Sequence, residues 1–171
     1  MKKFVIPALL LATLILAACA SMMHPSATAT LAPTSGQTAN GTVRLTQMAD
    51  GAVEVNVNLT GVPPGVHGFH IHENGDCADN GNAAGGHYNP MTTAHGAPNA
   101  DPHHAGDFGN VTADDMGRVQ LEFTTPSVTV EAGPNSVVGH AIILHANPDD
   151  LTTQPTGNAG GRIACCVLSL K

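Results

Sequence analysis

His70 and His72 stand one residue apart in the segment His67-Gly68-Phe69-His70-Ile71-His72. Side chains two positions apart on an extended strand leave the same face. Two imidazoles therefore project side by side from one rigid element, an arrangement that suits a transition metal better than a hydrophobic core. His87, His95, His104, Asp107 and His145 follow. Together these make seven nitrogen and oxygen donors in a chain with no tryptophan and one tyrosine. Residues of these types point to a metal site.

The elements that must position these donors read as strands. Val53, Val55, Val57 and Leu59 alternate with Glu54, Asn56, Asn58 and Thr60, the period of a half-buried strand. Asp50-Gly51 is a turn signal that joins it to an earlier strand over 42–48. Pro63-Pro64 turns the chain into a short extended segment at 68–72. Residues 73–108 are rich in Gly, Asn, Pro and His with almost no alternation, and so long a loop in a compact domain is normally functional. Strand character returns at 110–113, 119–124, 141–145 and 163–170, with a second loop over 147–161. No amphipathic helix pattern and no internal repeat is present. The expected fold is all-β, an antiparallel Greek-key β-sandwich or flattened barrel with two long functional loops.

Composition excludes some functions. Charged residues make up only 11% of the 171. Beyond the first three residues the basic groups are Arg44, Arg118, Arg162 and Lys171, against thirteen acidic side chains, a formal charge of −9. No basic stripe exists to displace counterions, so nucleic acid is not an expected partner. Residues 1–18 read as an export signal: Lys2 and Lys3 precede an apolar run, Phe4 to Leu16, too short to span a bilayer. Leu16-Ala17-Ala18-Cys19 resembles a bacterial lipobox, in which the cysteine becomes a lipid-carrying N-terminus. This implies a membrane partner through a lipid anchor, on the cell envelope facing periplasm or exterior. Residues 20–38, rich in Ala, Thr, Ser and Pro, read as a flexible tether, with the domain expected over 39–171. An exported chain meets an oxidising compartment, which favours a bridge between Cys77 and Cys165, with Cys77 to Cys166 as the rival pairing.

Several motifs in order resemble the copper/zinc superoxide dismutases, specifically their exported bacterial branch. They are HGFHIHENGDC (67–77), GGHYNP (85–90), HGAP (95–98), HAGDFGNV (104–111), the strand ending in His145, and TGNAGGRIAC (156–165). The resemblance implies copper held by His70, His72, His87 and His145. It implies zinc held by His87, His95, His104 and Asp107, with the His87 ring shared. Four imidazoles in a flattened set suit copper, and three imidazoles with a carboxylate suit structural zinc. The activity implied is dismutation of superoxide to oxygen and hydrogen peroxide by redox cycling of copper, with His87 and Arg162 as catalytic residues.

By the same resemblance, Asp149 accepts hydrogen bonds from His70 and His95, and His67 supports the strand and loop near copper. Arg162 stands where the family places an arginine over the copper channel, suited to attract a small anion. His103 is expected to point away from the site, and His140, where many relatives carry arginine, has no role assigned. The 146–156 segment is shorter than in many eukaryotic relatives and carries no lysine to steer an anion. The alternative function is a non-catalytic copper-binding or buffering lipoprotein on the same fold.

Overall fold

In the computed structural model, which describes residues 24–171, nine strands follow the chain. They are β1 (Ser26–Pro33), β2 (Asn40–Gln47), β3 (Val53–Thr60), β4 (Gly65–His72), β5 (Asp107–Ala113), β6 (Val119–Thr125), β7 (Ala141–His145), β8 (Arg162–Val167) and β9 (Ser169–Leu170). The one helical turn among the described residues is a short 3-10 segment, Asn82–Ala84. The alternation read in β3 is physical: Val53, Val55, Val57 and Leu59 are buried, and Val55 and Val57 lie opposite Leu45 and Val43 of β2. Such apolar cross-strand pairs fix register, because a one-residue slip would turn every side chain to the wrong face.

The strands lie in the order β5-β4-β7-β8-β1-β2-β3-β6, antiparallel throughout, with β9 added to β1. Chain-consecutive β3 and β4 sit far apart in this order, as do β6 and β7, which is the Greek-key crossing. The sheet is rolled into a nearly closed barrel whose seam falls between β5 and β6. Phe108 of β5 meets Phe123 of β6 edge to face, ring centroids 5.3 Å apart, and also approaches Phe69 of β4. Three rings thus bridge the gap that no ladder closes.

The expected tether is corrected by β1. Residues 26–33 form a strand inserted between β8 and β2, not a flexible linker. Ala27, Ala29 and Leu31 are buried in the core while Thr28 and Thr30 face outward. The alternation is present in the sequence, but its inward positions are mostly alanine, so it reads as low-complexity linker rather than strand. The export signal and Cys19 lie outside the described residues. At the other terminus the single strand expected over 163–170 is broken at Leu168, whose N–H bonds to His140 O, giving β8 and β9.

Cys77 and Cys165 are joined in a disulfide, which decides between the two pairings. Cys165 packs with Ala84, Ala141 and Ile143 outside the barrel, whereas Cys166 points into the main core. Neighbouring strand residues face opposite ways. Burial pushes the Cys166 thiol up to about 12, so it remains a protonated, unreactive filler.

A chain starting at residue 39, the expected domain boundary, lacks β1 and leaves two sheet edges bare. It is expected to lose cooperative thermal unfolding by circular dichroism, while a chain starting at His24 keeps it.

Candidate metal centre

Phe69 and Ile71 turn into the barrel core, and His70 and His72 turn outward to the opposite face of β4. That outer face is also buried, because the 73–106 loop lies along it. The loop is laid down by strand-like bonds: Tyr88 N–H to Ile71 O, Glu73 N–H to Gly86 O, and an isolated bridge between His72 and His87. His87 is thereby delivered beside His70, ring centroids 4.0 Å apart. β7 pairs with β4 and ends in His145, where an irregularity in the β7–β8 register sets its ring 5.0 Å from that of His70 and 5.4 Å from that of His72.

Two buried donor groups result. His70, His72, His87 and His145 form one; His87, His95, His104 and Asp107 form the other. In each, one donor atom from every residue lies within 4.8 Å of the rest. His87 belongs to both.

The hydrogen bonds on the far side of each ring assign its tautomer. His70 Nε2 donates to Asp149 Oδ2 at 2.8 Å and His95 Nε2 donates to Asp149 Oδ1 at 3.0 Å. His72 Nδ1 donates to Gly85 O at 3.0 Å and His145 Nδ1 to Gly160 O at 3.3 Å. Each of these rings then aims a bare lone pair inward. His70 Nδ1, His87 Nε2, His95 Nδ1 and His104 Nδ1 are buried without a hydrogen-bond partner. His72 Nε2 and His145 Nε2 face each other at 3.3 Å, lone pair to lone pair. In the second group the Nδ1 atoms of His87, His95 and His104 crowd one oxygen, Asp107 Oδ1, at 2.7, 3.0 and 3.2 Å. One carboxylate oxygen does not serve three aligned donors. A cation inside each group satisfies all of these atoms at once, so the residues present fit an all-imidazole site beside a three-imidazole, one-carboxylate site.

Electrostatics agree. Burial lowers His70 to about 4, His72 to about 2 and His145 to about 3, so the rings stay neutral and available as ligands. Burial opposes ionisation of Asp107, but hydrogen bonds from His87, His104 N–H and Gly96 N–H outweigh it and hold the carboxyl well below the usual range. Asp149 is held low in the same way by its bonds to His70, Leu151 N–H and His95.

The remaining histidines take other places. The ring nitrogens of His67 stand 2.8 Å from His145 O and 2.8 Å from Pro63 O, tying β4 to the end of β7. His103 points away, to Ala100 O and Ser127 Oγ. His140 stacks on Tyr88 at 4.0 Å, its Nδ1 3.3 Å from His72 O. Arg162, at the start of β8 opposite His145, donates to Gly81 O and Gly85 O of the disulfide-bonded loop.

Three braces escape the sequence reading. Asn110 pairs its side-chain amide with both backbone groups of Asp149, at 2.7 and 2.9 Å. Gln154 does the same for His95. A Cβ at Gly157, where φ is +63°, would lie 1.7 Å from Asp149 Oδ1 and 2.7 Å from His95 Nε2. Asn110 and Gly157 sit inside quoted motifs, but nothing in their spacing distinguishes a brace from a turn residue.

Gly157→Ala is expected to displace the Asp149 carboxylate and weaken Co²⁺ or Zn²⁺ uptake by the His95 group at least about tenfold, read by spectrophotometric titration. For the metal-free protein, the buried rings bind protons less well folded than unfolded. The unfolded chain therefore gains protons first below about pH 6.5, the ordinary histidine value. Stability is expected to fall as pH drops from 6.5 toward 4, by up to ~1.4 kcal/mol per pH unit for each ring. Urea midpoints at pH 7, 6 and 5 measure this.

Residues 39–168 match the family model for copper/zinc superoxide dismutase. A solved structure, that of the clock protein EA4, is 37% identical, covers 86% of this chain and 95% of its own, and superposes with a TM-score of 0.78. A match over most of the chain, on a Greek-key barrel with two adjoining histidine-rich donor groups, places the protein in the copper/zinc superoxide dismutase family, whose members bind copper and zinc.

Proposed function

We propose that this protein dismutes superoxide to oxygen and hydrogen peroxide, with copper held by His70, His72, His87 and His145 and zinc held by His87, His95, His104 and Asp107. The observation that carries this reading is the single His87 ring, which belongs to an all-imidazole group and to a group with a carboxylate. Copper supplies the one-electron redox chemistry when bound, and zinc supplies none.

The chain's own residues do the rest. His87 carries the proton-accepting nitrogen nearest the reacting centre, Nε2, which is buried and has no hydrogen-bond partner among the described residues. Its other nitrogen, Nδ1, stands 2.7 Å from Asp107 in the second group, where the zinc both would hold keeps the ring oriented while Nε2 exchanges a proton. Asp149 joins one residue from each group and so holds the two at a constant spacing. Arg162 binds the anionic substrate. Its guanidinium is half-buried and anchored through carbonyl oxygens, so it remains a cation with remaining donors free for an anion. A Cβ on Gly81 would stand 3.4 Å from Arg162 Cδ and 3.3 Å from Ile143, so the loop follows the arginine closely. In a chain of formal charge −9 beyond the leader, this local cation offsets the repulsion that a small anion meets.

We further propose that residues 1–18 direct export and that Cys19 carries lipid, anchoring the domain to the cell envelope. The Cys77–Cys165 disulfide supports an oxidising compartment.

Elemental analysis of the purified chain beside pulse-radiolytic superoxide decay tests the reading. One copper and one zinc per chain with fast decay, abolished by chelation of copper, is expected. Full copper without decay would favour the copper-buffering alternative. Arg162→Ala is expected to keep both metals yet lower the second-order rate by roughly tenfold at low ionic strength. An unchanged rate would remove Arg162 from the substrate path.

A further inference from the structure

We propose that Gln154 is a positioning residue for His95, and that the 146–161 loop acts as a mechanical brace on the zinc-side donors. This rests on the reading that the His95 group holds zinc.

The segment around His95 has no regular secondary structure, yet His95 is buried. Its backbone N–H and C=O make no backbone–backbone bond among the described residues. A buried peptide group needs partners from somewhere. Both come from one side chain: His95 N–H donates to Gln154 Oε1 at 2.8 Å, and Gln154 Nε2 donates to His95 O at 2.8 Å. The amide thus replaces a missing neighbour strand across 59 positions of sequence. At its other end, His95 bonds through Nε2 to Asp149, five residues before Gln154 in the same loop. One loop therefore grips both the backbone and the ring, and the direction of Nδ1 is fixed between the two grips.

The loop is rigid enough to serve. Asp150 accepts from Thr152 N–H, Thr153 N–H and the Thr153 hydroxyl, while Asp150 N–H bonds to Gly157 O and Gly157 N–H to Thr153 O. Gln154 Nε2 also donates to Thr152 O at 3.2 Å, which sets the amide plane. The chemistry demands an amide. A glutamate offers acceptors only and opposes His95 O, an asparagine is one methylene short, and a methionine has the length without either bond.

The test uses the copper-loaded, full-length chain with Zn²⁺ or Co²⁺ in the second group. Gln154→Met and Gln154→Glu are expected to speed Zn²⁺ release to a chromophoric chelator by about tenfold, the factor one to two net hydrogen bonds supply. They are also expected to alter the Co²⁺ visible spectrum and to raise His95 amide hydrogen exchange, with copper content unchanged. A merely structural surface role would shift the thermal midpoint and leave release rate and spectrum alone. Normal Co²⁺ uptake with unchanged release and spectrum in both variants would overturn the brace. A wild-type chain that takes up no Co²⁺ at the His95 group would instead overturn the metal assignment, and the positioning role with it.

Discussion

Buried lone pairs govern this structure. Seven nitrogens of six imidazole rings and a carboxylate oxygen are withdrawn from water and aimed at one another, an arrangement that costs free energy unless cations lie among them. No local preference of the chain explains such convergence, since burial keeps these imidazoles neutral and their facing lone pairs repel one another. The barrel, the loops and the disulfide make sense as the means of enforcing it. Metal binding in turn supplies folding free energy, because the unfolded chain holds no preformed site.

The enforcement is layered. β4 and β7 are central strands, paired on both sides, and they carry the three histidines of the first group that do not come from a loop. The second group comes from loop residues and the first residue of β5, so its geometry depends on cross-links between loops: Asp149 between His70 and His95, Asn110 under Asp149, Gln154 behind His95. The division matches the chemistry of the family. On the proposed assignment, the copper that would cycle between oxidation states takes three of its four ligands from strands paired on both sides, and the neighbouring zinc would help to order the loop that holds it.

Much of this was legible in the sequence, for identifiable reasons. Valine and leucine alternation disclosed β3, because large apolar side chains make the period of two conspicuous. The His-x-His pair disclosed a donor face because the strand period is fixed. β1 is not legible there, since alanine buries too little area to stand out among threonines, although its register with β2 is regular. The braces are illegible for a different reason. Asn110 and Gln154 act on backbone groups 39 and 59 positions away, and such pairing leaves no mark on local composition. Asp149 and Arg162 stand out only by resemblance; nothing in the spacing of either singles it out.

The strand over 26–33 would bound the reach of the proposed lipid anchor. Pro25 O accepts from Gln47 N–H, so the sheet holds the chain six positions after Cys19, a separation that cannot exceed about 22 Å. With Cys19 acylated, the barrel would ride within its own width of the bilayer rather than sweep a wide volume. Its protective radius would then be the membrane itself and the thin aqueous layer against it.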